Sequence, residues 1–175
     1  MELTLFNEFH TRLLRPSDLL ALQALFERAG DYFELVTGRP PARDEAERAF
    51  VAGPPQKSVN DKRVIGLFTD ADVLVGVLDA ITDWPEPGCW SMGGLILDPA
   101  FRGRGLGRAV LTAYERWAAD EGAERFRTAV VGHHGRGIRF LEHAGYRRVL
   151  GGETGVPRTA VFFEKGRFPL GKSLS

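Results

Sequence analysis

Residues Gly93 to Ala118 read GGLILDPAFRGRGLGRAVLTAYERWA, an apolar strand, a glycine-rich basic loop and a long amphipathic pattern in direct succession. Leu95, Ile96 and Leu97 form the apolar run, and Asp98-Pro99 ends it. Arg102-Gly103-Arg104-Gly105-Leu106-Gly107 then places three glycines at alternate positions before a helix predicted over 105–121. Glycine admits positive φ and carries no side chain to hold a ligand off, so consecutive N–H groups can converge on a phosphate. The helix start adds unpaired amides and partial positive charge, and the loop reads as an anion site. Spacing narrows it further. A dinucleotide fingerprint needs a third glycine one residue later, where Arg108 stands, and no strand precedes the only Gly-Lys-Ser triplet, at 171–173.

Arg102, Gly105 and Gly107 do match the pattern R-x-x-G-x-G. With the preceding apolar strand and Asp-Pro, the segment resembles the acetyl-CoA pyrophosphate loop of the GNAT superfamily of N-acetyltransferases. The resemblance implies that Arg102, Gly103, Arg104, Gly105, Leu106, Gly107 and Arg108 bind the pyrophosphate. It also implies that the backbone of Leu95, Ile96 and Leu97 bonds the pantetheine arm, as one strand does to another.

Outward from this stretch, 175 residues with 43% hydrophobic content suit one domain, with a core over 11–165 and a loose tail at 166–175. Lys+Arg 23 balance Asp+Glu 23, so no overall field points to nucleic acid or to an anionic membrane. Between residues 101 and 150, however, ten arginines face five acidic residues, an excess of five positive charges that suits a polyphosphate ligand. Cys89 is the sole cysteine, which excludes an internal disulfide and a multi-cysteine metal site and fits a reducing, cytoplasmic setting. No apolar run approaches about 18–20 residues and the start lacks a basic leader, so neither a membrane span nor a signal peptide is expected.

The pattern before the loop predicts a short strand at 11–15, helices after Ser17-Asp18, at 31–36 and at 44–52, then a hairpin of Val64–Phe68 and Val73–Ile81. After it come a strand at 125–131, a helix at 136–143, a strand from Tyr146 and a last strand at 158–164. This is an α+β arrangement, a mixed sheet of about six to seven strands flanked by helices, and it is also the order of the GNAT fold.

A second segment, VVGHHGRGIRFLEHAGY at 130–146, is similar to the family's later pattern N-x-x-A-x-x-F-Y-x-x-x-G-F. Phe140, Gly145 and Tyr146 match. His134 stands at the asparagine, Gly137 at the alanine and Leu141 at the tyrosine. By resemblance, His134 meets the pantetheine arm. That tyrosine often protonates the departing thiolate, which leucine cannot do; another hydroxyl, a water or no specific acid must serve, and a CoA thiol is acidic enough that a missing acid need not abolish catalysis. The strand carboxylate that many relatives use as general base is also missing, since Ser91 to Gly94 offer none.

The candidate base is therefore Asp79, which interrupts the apolar run VLVGVLDAI, an expensive place for a carboxylate unless it is paired or useful. Burial there would raise its pKa and suit it to accept a proton. An exposed or loop-capping Asp79 is the structural alternative. His133 and His134 have no third ligand nearby, so no metal is expected; His133 reads as a solvated loop residue. Tyr32, Glu34, Trp84 and Trp90 are candidates for the acceptor site, with Glu34 placed to meet a cationic amine.

Two functions remain open. One is acetyl transfer from acetyl-CoA to a primary amine of a small molecule, peptide or protein, by direct attack, in a chain that resembles a family often dimeric. The other is an acyl-CoA-binding module with little or no transferase activity, favoured by Leu141 and the absent strand carboxylate. A phosphate-binding domain outside the family is a weaker third.

Overall fold

A computed structural model of the chain describes the backbone of residues 2–6 and all atoms of residues 8–151 and 159–166. Of the expected tail at 166–175, Gly166 instead closes the last strand, and residues 167–175 lie outside the described residues.

Among the described residues, eight strands form one sheet: β1 (Glu2–Phe6), β2 (Phe9–Leu13), β3 (Lys62–Thr69), β4 (Leu74–Ile81), β5 (Cys89–Leu97), β6 (Arg125–Val131), β7 (Arg147–Val149) and β8 (Ala160–Gly166). They lie in the order β1-β2-β3-β4-β5-β6-β8-β7, and β1 is an edge strand added to the expected row. Every pairing is antiparallel except β5 with β6. A parallel pair needs a long crossover, and the amphipathic helix of the glycine-loop stretch supplies it.

Five α-helices among the described residues flank the sheet: α1 (Leu19–Arg28), α2 (Gly30–Thr37), α3 (Glu45–Val51), α4 (Leu106–Asp120) and α5 (Gly135–His143). Leu22, Leu25 and Phe26 of α1, with Phe33 of α2 and Ala46 of α3, pack on Val64, Phe68, Val77 and Ile96. On the opposite face, Leu106, Val110, Leu111 and Tyr114 of α4, with Leu141 of α5, pack on Ile65, Leu67, Val75, Trp90 and Phe126. β3 and β4 are thus covered on both sides, which explains their unbroken apolar runs. Asp18 directly precedes α1 but does not cap it; its carboxylate takes Arg12 at 2.8 and 2.9 Å and the Arg15 amide at 2.7 Å. Among the described residues, no helix is long and apolar enough to cross a membrane.

Candidate active site

The parallel pair comes apart halfway. Cys89 to Met92 of β5 lie opposite Arg125 to Thr128 of β6; beyond them β5 pairs only with β4, and β6 only with β8. The change coincides with an extra residue. Asp79 pairs with Gly94 and Ala80 with Met92, so Gly93 has no partner and β5 carries a bulge there. A bulge bends its strand and strengthens its local twist, and here it turns the end of β5 away from β6. The opening is a cleft of about 460 Å³, with Gly93, Gly94 and Leu95 on one wall and Thr128 to Val131 on the other. The outer half of β5 thereby presents main-chain groups that no neighbouring strand on that side pairs.

Side chains meet over the bulge. A Cβ at Gly93 would stand 2.6 Å from Asp79 Oδ2, so glycine is required there for the carboxylate to lie across the strand. The Tyr32 hydroxyl reaches the same spot from α2, 3.4 Å from where a Gly94 Cβ would be. Burial, and next the Asp79 charge, push the Tyr32 phenol up to about 12, so it stays protonated at neutral pH. Asp79 is not stranded among apolar groups, as the strand pattern alone implies. Lys62 Nζ donates to its Oδ2 at 2.9 Å and to the Ala52 carbonyl at 2.7 Å.

The glycine loop lies at the far end of β5. Asp98 anchors the strand's exit: its carboxylate accepts from Arg28 Nε at 2.5 Å and from the Ala100 amide at 2.9 Å. Gly103 and Gly105 adopt φ of 76° and 81°, and a Cβ on either would meet no atom within 4 Å. Both glycines therefore answer a conformational need and face open space rather than packed protein. Gly105 is the N-cap of α4, without a side-chain cap, so the first-turn amides keep their capacity for an acceptor outside the helix. Gly107 differs: its position lies at ordinary contact from Phe140 and Leu97, 3.5 and 3.6 Å.

Two arginines of the loop, Arg102 and Arg108, are held by hydrogen bonds to protein. Arg102 donates through Nε to the Leu97 carbonyl at 2.9 Å and pairs bidentately with Asp31 of α2, which holds the Asp31 carboxyl below its ordinary range. Arg108 bonds the His143 carbonyl at the end of α5 at 2.6 Å. Arg104 is exposed, its guanidinium 5.9 Å from the Phe101 ring centre.

His134 precedes α5 and lines the cleft, its ring edge-on to Tyr32 with centroids 6.1 Å apart. Burial, then the charge of Arg136, lowers its pKa and keeps the imidazole neutral. A Cβ at Gly137 would come within 2.6 Å of that ring. The two departures from the family pattern thus form one arrangement: a ring larger than asparagine at 134 needs glycine rather than alanine at 137. His133 is not simply solvated, because its Nε2 lies 2.7 Å from the Leu35 carbonyl and ties this loop to α2. Among the described residues no three His, Cys, Asp or Glu side chains gather to hold a metal.

Of the acceptor candidates, Tyr32 and Trp84 line the cleft and the other two do not. Trp90 is 4% exposed and packs edge-on against Trp117 behind the sheet. Glu34 is exposed and turned from the cleft, because two residues of helix beyond Tyr32 put it on the opposite side of α2. Leu141 is buried in the cleft wall, where it presents no proton. The ion pair with Lys62 and the bulge at Gly93 are features that sequence reasoning missed. The consecutive glycines at 93 and 94 were the available signal for the bulge; for Lys62 only the cross-strand register identifies the partner.

A mixed sheet opened at one parallel pair, with a glycine-rich helix start beyond the opened strand, frames a cleft and an amide-lined loop suited to a phosphate-bearing ligand. The acetyltransferase (GNAT) family model matches residues 22–146, and the chain belongs to that family. Members of the family move an acyl group from acyl-CoA. A similar solved structure is an acetyltransferase from Thermus thermophilus, at 26% identity and TM-score 0.70, covering 95% of this chain and 99% of that one. Another is a Salmonella typhimurium acetyl transferase that modifies the N-terminal serine of a 50S ribosomal subunit protein, at 14% identity and TM-score 0.74, covering 95% and 99%. A ribosomal-protein alanine N-acetyltransferase from Escherichia coli shares 16% identity at TM-score 0.68, again covering 95% and 99%. The last two show the fold alone. No curated protein matches in sequence.

Proposed function

We propose that the protein transfers an acetyl group from acetyl-CoA to a primary amine, with Asp79 as the base. The observation that carries this reading is the cleft between the parted strands, where the Asp79 carboxylate lies over the bulge at Gly93, on the same strand whose far end leads into the open glycine loop.

The chain's groups fit an acyl-CoA in three places. Positive-φ glycines facing open space and uncapped amides at the start of α4 suit a pyrophosphate. Arg102 and Arg108 act there by holding the loop to α2 and α5, and by their charge. The main chain of Leu95, Ile96 and Leu97 suits the amides of the pantetheine arm, which leaves the side chain of Ile96 free to be buried in the core. His134, a neutral imidazole in the cleft wall, offers one more hydrogen-bonding nitrogen to that arm.

When bound, acyl-CoA supplies a thioester whose carbonyl carbon accepts the amine. Asp79 takes the proton that the nitrogen loses as its bond to carbon forms and the carbon–sulfur bond breaks. Tyr32 and Trp84 line the acceptor end, and Leu141 keeps the thioester side dry. The sulfur leaves as thiolate, without a dedicated acid, and takes its proton from solvent.

The test is release of free thiol from acetyl-CoA across a panel of primary amines, beside thermal melting with CoA. Acceleration by at least one amine is expected. Stabilisation by CoA with no amine raising thiol release would favour the binding module; no stabilisation at high CoA would sink the cofactor assignment, since a ligand specific to the folded state must stabilise it.

A further inference from the structure

Lys62 has no role in the reaction as described, yet it lies in the same cleft as the base. It opens β3 opposite Ile81, and its side chain is only 7% exposed. Its ammonium is fixed by two acceptors on different elements, Asp79 Oδ2 at 2.9 Å and the Ala52 carbonyl at 2.7 Å. One oxygen of the base is therefore committed. The other, Oδ1, lies toward Gly94, 3.6 Å from where a Cβ would stand and on the side that the Tyr32 hydroxyl reaches.

Among the described residues, the remaining charged or titratable groups that line this cleft come from three other places in the fold. Tyr32 of α2 keeps its proton; His134, before α5, is held neutral by burial; Arg127 of β6 is paired with Glu164 of β8. At the base itself, the Lys62 ammonium cancels the Asp79 carboxylate.

That cancellation matters to an incoming amine. A lone carboxylate favours the charged form of a cationic neighbour within about 4–6 Å. An ammonium has no lone pair, so such a complex would be tight and unreactive. A carboxylate already neutralised by a fixed cation exerts little pull, and that cation repels a second one. We propose that Lys62 is a positioning residue of the acceptor site: it holds Asp79 by Oδ2 and keeps the arriving amine in its neutral, nucleophilic form. The inference rests on Asp79 being the base.

The experiment compares Lys62→Met and Lys62→Arg on two acceptors, the fastest primary amine of the panel and its β,β-difluorinated analogue, a much weaker base. Melting curves confirm folding, and Lys62→Gln replaces the methionine variant if that one does not fold. With the basic amine, Lys62→Met lowers kcat by about tenfold or more while KM falls with it, because a carboxylate left unpaired raises the pKa of a bound amine and so shrinks its neutral fraction. Calorimetry on the CoA-saturated protein then shows tighter binding of the same amine. The weakly basic analogue shows neither change, and Lys62→Arg behaves as the parent. Equal losses with both amines, or a KM for the basic amine that does not fall, would overturn the proposal. Asp79→Asn is run beside it: if turnover collapses there while Lys62→Met shows no split, only the role of Lys62 falls. If Asp79→Asn keeps parental turnover, the base and this inference fall together.

Discussion

Gly105→Ala separates backbone need from ligand approach at the glycine loop, because the chain contains its own control. Gly105 has φ of 81° and Gly38, the C-cap of α2, has φ of 74°; at both, a Cβ would meet nothing within 4 Å. The substitution therefore costs the same at each, only the strain of a left-handed alanine, about 1–2 kcal/mol. For a chain of this size that lowers Tm by roughly 2–8 °C. What differs is the solvent side. An N–H···O bond to a phosphate needs a heavy-atom separation of about 2.9 Å, and a methyl group on the loop stands in that approach. Calorimetric titration with CoA, beside melting curves, should give matching Tm losses, near-parental affinity for Gly38→Ala and at least about tenfold weaker binding for Gly105→Ala. If the two variants bind CoA equally well, the open space above the loop is not where the cofactor lies.

Asp79→Asn should lose a factor of roughly 10²–10⁴ in turnover while keeping CoA affinity, the range expected for loss of a general base; thiol release measured over the full pH range checks it. The two tryptophans should part: Trp90→Ala opens the core behind the sheet and costs about 3–5 kcal/mol in denaturant unfolding, whereas Trp84→Ala raises acceptor KM with little loss of stability. Asp98 gives a pH signature. Burial alone would push its carboxyl up, but Arg28 and the Ala100 amide outweigh that and hold it below the ordinary 3.8. As pH falls below that value the unfolded chain takes up the proton first, so this stabilisation is present above it and lost beneath. Asp98→Asn should flatten the acid limb of the unfolding midpoint against pH, and an unchanged slope would remove Asp98 from it.

Much of the fold is readable in order because each element is made locally. The crossover from β5 through α4 to β6 follows from one apolar run, a turn and one helical period. The hairpin of β3 and β4 follows from β-branched runs around Thr69 to Asp72. The candidate site was legible only in part. Trp84 and Trp90 look alike in sequence, but Trp90 sits on a strand where neighbouring residues face opposite sides, so it points at α4 while Ser91 points at the cleft. Tyr32 and Glu34 fail to share a site for the helical version of the same reason.

The glycine loop proposed to take the pyrophosphate was legible in sequence because it is built from consecutive residues, with glycine at the positions whose φ demands it. The family resemblance rests on that same contiguous stretch. The reacting end is another matter. Lys62, Asp79 and Gly93 come from three strands, and which atoms meet is decided by register: a bulge of one residue places Asp79 over Gly93 and Gly94 and parts β5 from β6. Spacing along a chain carries no record of register between strands, so tertiary structure alone decided the partner of Asp79 and the shape of the cleft.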